Sequence, residues 1–114
     1  EKVIFNENYK SAIEILEQNI KKLDCENKCQ ILKTNCFELS KYLNKKFDIV
    51  FMDPPFKEKK SNNLIDSILQ MKYVKNKGLI IIHTNKKDNE ILSKKLNIIE
   101  VRYYGLSKII FASC

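Results

Sequence analysis

Phe47-Asp48-Ile49-Val50-Phe51-Met52-Asp53-Pro54-Pro55-Phe56 decides the reading of this chain. Apolar residues run almost unbroken from Phe47 to Met52 and stop at a carboxylate, two prolines and an aromatic. A short run rich in β-branched and aromatic residues, closed by prolines, predicts a buried strand of a parallel sheet. Neither proline can extend the ladder, because each lacks an N–H and pushes the residue before it out of the helical region. The backbone must leave the sheet at the strand's carboxyl end as a stiff, extended loop. Open α/β sheets place their ligands there.

Working upstream, Lys2 to Asn6 predicts a short strand ending at Glu7-Asn8. Tyr9, Ala12, Ile13, Leu16, Ile20 and Leu23 then fall on one stripe at helical period, with Asn8 as the N-cap and Lys21-Lys22 complementing the helix dipole. A polar turn over 24–28 leads to a second strand around Cys29 to Lys33, and Phe37 to Leu43 predicts a short helix. Downstream, Lys57 to Lys60 is a solvated charge run, and Ser61 caps a helix carrying Leu64, Ile65, Ile68, Leu69 and Met71 inward. Lys77-Gly78 reads as a turn before the strand Leu79 to His83, and Asp88 to Leu96 as a helix burying Ile91 and Leu92. Ile98 to Tyr104 and Lys108 to Ala112, separated by Gly105-Leu106-Ser107, predict an antiparallel hairpin. The β-α alternation closed by a hairpin predicts an α/β sheet with one antiparallel strand at its edge, in a single domain over 1–114.

Composition narrows the function. The 21 basic and 14 acidic residues give a net charge of +7, which suits a polyanionic partner, although scattered lysines also serve solubility. No apolar run is long enough to span a bilayer, and no signal-peptide pattern is present. Cys25, Cys29, Cys36 and Cys114 lack a second Cys/His pair at ligand spacing, and His83 stands alone, so no metal site is expected. Reduced thiols in a cytoplasmic protein are expected instead. Gly78 and Gly105 are isolated and build no phosphate-cradling loop.

The Asp53 loop carries chemistry. An exocyclic amine on a nucleobase is a poor nucleophile, because its lone pair is delocalised into the ring. Two acceptors for its two N–H bonds, the Asp53 carboxylate and the Pro54 carbonyl held outward by the Pro54-Pro55 pair, can draw it toward a tetrahedral arrangement. Phe56 can stack on the base and hold it in line. Such catalysis is positioning plus electrostatics. A base in a duplex would first have to be unstacked or flipped. As a bare tetrapeptide, Asp53 would be an ordinary turn residue. After an apolar strand in a β-α series, the functional reading gains the advantage.

This decapeptide resembles the fourth motif of class I amino-group methyltransferases, and more closely that of the RsmD-type small-subunit ribosomal RNA guanine-N2 methyltransferases. Phe5-Asn6-Glu7-Asn8 with Ala12-Ile13 and Asn19-Ile20 is similar to that family's second strand and following helix, and Arg102 to Lys108 to its terminal hairpin. The resemblance implies a Rossmann-like class I methyltransferase sheet, mostly parallel with an antiparallel C-terminal hairpin. It also implies S-adenosylmethionine as donor, and small-subunit ribosomal RNA or the assembling subunit as partner of a monomeric protein. It places Asp53, Pro54, Pro55 and Phe56 in the catalytic loop. Glu7, with Asn8 beside it, falls at the donor's ribose hydroxyls; Asn35 and Cys36 fall at its adenine; Asp53 also borders the donor. The family has an aspartate where Asn35 stands, and Asn35 also reads as a helix cap. Lys57, Lys59 and Lys60 could meet phosphates, or simply be solvated. His83 reads as a half-exposed histidine with no catalytic part.

The family's first strand, with its Gly-rich donor loop, lies between the strands at Val3 and Phe47. The chain begins after it, so an open seam, poor folding and weak donor binding are expected of these 114 residues alone. Two rival readings use the same residues: an amino methyltransferase acting on DNA adenine, and a non-catalytic remnant that contacts ribosomal RNA by charge. The hairpin and compact size favour the ribosomal enzyme.

Overall fold

The computed structural model describes residues 1–54, 61–88 and 94–114, leaving out the side chains of Ser61 and Asn62. Two compact units divide the chain at Leu43/Asn44. In the first, β1 (Val3–Asn6) is followed by α1 (Lys10–Lys22) and β2 (Cys29–Leu32), and the strands pair in parallel from Val3↔Cys29 to Asn6↔Leu32. The connection over α1 is what a parallel pair requires. Ile13 and Ile20 are the buried residues of the helix stripe, whereas Tyr9 and Leu23 at its ends are 68% and 74% exposed. Asn8 is not the cap. Tyr9 holds that position without a side-chain bond, and the Glu7 carboxylate instead accepts from the Asn8 and Tyr9 backbone N–H groups. The predicted helix after β2 is a 3-10 helix, Cys36–Lys41, opened by Asn35.

The second unit is a four-stranded sheet of β3 (Phe47–Met52), β4 (Val74–Asn85), β5 (Asn97–Tyr104) and β6 (Ser107–Ser113), ordered β3-β4-β6-β5. α2 (Ser61–Gln70) precedes β4 and contributes the buried Ile65 and Ile68, while Met71 lies beyond it and is exposed. Strand period decides which sheet face is dry. Met52, Ile82 and Ile110 are successive cross-strand neighbours, as are Val50, Ile80 and Ala112, and all but half-buried Val50 are buried. The opposite face carries Ile49 and Phe51, each 60% exposed.

Three expectations are corrected. β3 is not buried on both faces: Ile49 and Phe51 on one face are each 60% exposed, and among the described residues β4 is its one ladder partner. Lys77-Gly78 is not a turn ahead of the strand. β4 runs through it as a bulge, with Phe47↔Val74 followed by Ile49↔Leu79 in the ladder and Lys77 at φ 65°. Asp48 clamps the bulge through two bonds of 2.9 Å from Lys75 Nζ. The antiparallel strand is not at the edge, because β6 inserts between β4 and β5 and runs against both. The hairpin stands as expected. Gly105 takes φ 56° and Leu106 does not share it, the signature of a type II′ turn. Ile91, Leu92 and the Lys57–Lys60 run lie outside the described residues.

Candidate functional site

Parallel ladders bring strand carboxyl ends to one edge, and each unit has such an edge. In the first unit, Glu7 follows β1 and Thr34-Asn35-Cys36 follow β2. The side-chain amide of Asn6 ties the two exits together by donating to the carbonyls of Leu32 (3.1 Å) and Thr34 (2.7 Å). The Glu7 N–H extends the ladder to the Leu32 carbonyl. Half-buried Glu7 uses Oε1 for the Asn8 and Tyr9 N–H groups, at 3.0 and 2.9 Å, which leaves Oε2 for another donor. Asn35 Oδ1 accepts from the Phe37 N–H at 3.0 Å, so the capping role is present, and Cys36 beside it is half-buried. The edge therefore offers a carboxylate oxygen, an amide and a thiol within one ladder.

In the second unit, the pair Met52↔Ile82 fixes what comes next: Asp53 on leaving β3 and His83 one step along β4. Their side chains meet. His83 Nδ1 lies 2.8 Å from Asp53 Oδ1, and His83 Nε2 lies 2.8 Å from Ser107 Oγ. Ser107 arrives because it opens β6 opposite Asn85, while His83 itself pairs with Ile109. A carboxylate only accepts, so Nδ1 carries the proton and donates to Asp53. In the neutral ring, Nε2 then accepts from the Ser107 hydroxyl. Exposure increases along this chain, with side-chain values of 24% for His83 and 58% for Asp53. The exposed end is the carboxylate that the sequence singles out.

Pro54 follows, half-buried, while Pro55 and Phe56 lie outside the described residues. Sequence reasoning set His83 aside as a lone histidine and did not consider Ser107. The available signal was register: Asp53 follows Met52 on one strand and His83 follows its partner Ile82 on the adjacent parallel strand. Among the described residues no cluster of three or more His, Cys, Asp or Glu side chains could hold a metal. Among the described residues no helix is long and apolar enough to cross a membrane. A cavity of about 290 Å³ lined by Lys46, Ile68, Lys72, Val74 and Lys95 lies at the other end of the strands, where β3 and β4 begin, and includes none of the site residues.

The family model described as Conserved hypothetical protein 95 matches residues 1–113. The chain is 37% identical over 83 residues to ribosomal RNA small subunit methyltransferase D of Buchnera aphidicola from Acyrthosiphon pisum, covering 69% of this chain and 41% of that protein. It is 34% identical over 67 residues to an uncharacterized methylase of Rickettsia prowazekii, covering 59% and 28%. The chain thus spans less than half the length of these curated relatives. A conserved hypothetical protein of Streptococcus pyogenes superposes with a TM-score of 0.86 at 24% identity, covering 97% of this chain and 70% of that one. TrmN of Thermus thermophilus gives a TM-score of 0.75 at 12% identity, covering 97% and 36%. At these identities, the structural likeness establishes the fold, that of the class I methyltransferases.

Proposed function

The chain belongs to the Conserved hypothetical protein 95 family, the RsmD-type methyltransferases, and from that premise we propose that the full-length protein methylates the exocyclic N2 amine of a guanine in small-subunit ribosomal RNA. Residues 1–114 would be part of a single, monomeric methyltransferase domain. The observation that carries the reading is Asp53 at the carboxyl end of β3, its carboxylate exposed and, among the described residues, held through one oxygen. Oδ2 is left to accept one N–H of the amine, and the Pro54 carbonyl is proposed to accept the other. Drawing both N–H bonds out of the ring plane takes the lone pair out of conjugation and localises it on nitrogen, and preorganised acceptors do so without reorganisation cost at the moment of reaction. Phe56 is proposed to stack on the base.

The first unit supports a donor site. The oxygen left on Glu7 suits a ribose hydroxyl, and Asn35 with Cys36 beside it suits an adenine edge. S-adenosylmethionine, when bound, supplies a methyl group on a sulfonium, an electrophile that requires only an aligned nucleophile. The net charge of +7 suits a ribosomal RNA partner.

The test is methyl incorporation by the full-length protein on a panel of naked small-subunit rRNA, assembled subunit and duplex DNA, with Asp53→Ala in parallel. Incorporation on either ribosomal substrate at a guanine N2, reduced at least a hundredfold by Asp53→Ala, is expected. Preference for DNA adenine would move the protein to the rival amino methyltransferase class. Unchanged incorporation with Asp53→Ala would end the reading.

A further inference from the structure

We propose that His83 and Ser107 are positioning residues that hold the Asp53 carboxylate for methyl transfer, an inference that rests on the reading of Asp53 just given. Asp53 stands at the end of a strand with more than half of its side chain in water. An exposed aspartate exchanges between rotamers and between water partners, and a misplacement of about 1 Å in a reacting group can cost on the order of a hundredfold in rate. The Nδ1–H of His83, 2.8 Å from Oδ1, removes that freedom. It fixes one oxygen and directs the other outward, which a substrate amine needs. The imidazole requires fixing in turn, because a ring with its proton on Nε2 has nothing to donate to Asp53. Ser107 selects the useful tautomer, since its hydroxyl, 2.8 Å from Nε2, donates to a bare nitrogen.

The order Ser-His-Asp also occurs in hydrolases, where the carboxylate is buried and the serine is presented to substrate on a sharp turn. Here that gradient is inverted. Ser107 is half-buried and lies in the ladder, paired with Asn85 on one side and Tyr104 on the other, while Asp53 is the exposed member. Support runs from Ser107 through His83 to Asp53, and the working end is the carboxylate. The ladder makes this support stiff, because His83 and Ser107 sit in neighbouring antiparallel strands and Asp53 leaves the parallel strand on the other side of β4. The triad is closed by sheet register alone.

The experiment compares the full-length protein with His83→Ala, His83→Asn, Ser107→Ala and Asp53→Asn in methyl incorporation, with kcat and KM separated. Imidazole ¹⁵N shifts are recorded on the wild type and Ser107→Ala. His83→Ala should lower kcat about ten- to a hundredfold with KM for donor and RNA within about twofold. His83→Asn, whose amide N–H replaces Nδ1–H, should recover most of that loss. The wild-type ring should show a protonated Nδ1 and a bare Nε2, and Ser107→Ala should mix the tautomers. Unchanged kcat in His83→Ala, no recovery in His83→Asn, or a wild-type ring protonated on Nε2 alone would each overturn the proposal. The tautomer measurement stands even where His83→Ala fails to fold. Full activity in Asp53→Asn would instead overturn the reading of the Asp53 carboxylate as an acceptor for the amine, and this inference with it.

Discussion

Gly78→Ala should destabilise the protein by crowding the bulge through which β4 meets β3. A Cβ at position 78 would lie 2.6 Å from Val74 Cγ1, 2.9 Å from the Lys75 carbonyl oxygen and 3.1 Å from the Asp48 carbonyl oxygen. The first contact cannot be relieved by a simple rotation, because Val74 is buried and β-branched. The other two are backbone, Lys75 within the bulge itself and Asp48 across in β3, so relief must distort the bulge and part it from β3. Forced overpacking of this kind costs about 1–3 kcal/mol. Losing glycine's freedom in the unfolded chain returns about 0.4–1 kcal/mol. The net expectation is a loss of about 1–2 kcal/mol, a factor of roughly 5–30 in the folded-to-unfolded ratio. Urea unfolding of the full-length protein, followed by circular dichroism, measures it. Gly105 is the internal control, since it has nothing within 4 Å of an added Cβ but holds φ 56°. At that φ Gly105→Asn carries backbone strain but meets no crowding, so it should cost less than Gly78→Asn, which should be at least as damaging as Gly78→Ala. A Gly78→Ala protein as stable as wild type, or the reverse ranking of the two asparagine variants, would refute the steric account of the bulge.

Two other groups give sharp expectations. Tyr73 is 7% exposed, and among the described residues its buried hydroxyl finds no hydrogen-bond partner, so Tyr73→Phe should raise stability by about 1 kcal/mol in the same urea assay. The Lys75 ammonium beside Asp48 holds that carboxyl below its ordinary value of 3.8. A depressed folded value means that the clamp on the bulge is fully present above pH 3.8 and is lost as pH falls through the lower folded value. The Asp48 carboxyl carbon, followed by NMR, should titrate below its position in Lys75→Met.

Much of this was legible because it is local. The limits of β3 follow from an apolar run closed by Pro54-Pro55, and the hairpin follows from a glycine at the first central turn position. What failed was non-local. Lys77-Gly78 has the residues of a turn, and only pairing with β3 on both sides turns it into a bulge. The apolar run 47–52 says that β3 can be buried, but whether Ile49 and Phe51 are covered depends on neighbours that a strand's own sequence does not specify. Glu7 rather than Asn8 supplies the side-chain acceptor ahead of α1, its carboxylate reaching forward to the Asn8 and Tyr9 N–H groups, a choice between adjacent residues that propensity leaves open.

The same distinction explains why Asp53 could be read and its support could not. A carboxylate between an apolar strand and two prolines is a one-dimensional signal, complete within a few residues. His83 gains meaning only from being the residue after Ile82 where Met52 pairs with Ile82, and Ser107 only from opening β6 against Asn85. A slip of one residue between β3 and β4 would turn His83 to the opposite face of the sheet and leave Asp53 without its donor. That slip is opposed by the buried Ile80 and Ile82, which alternate with His83 along β4 and would move to the open face as His83 left it. The hydrophobic pattern that holds the register thus also places the imidazole, so the site's geometry is specified by core residues that never touch it.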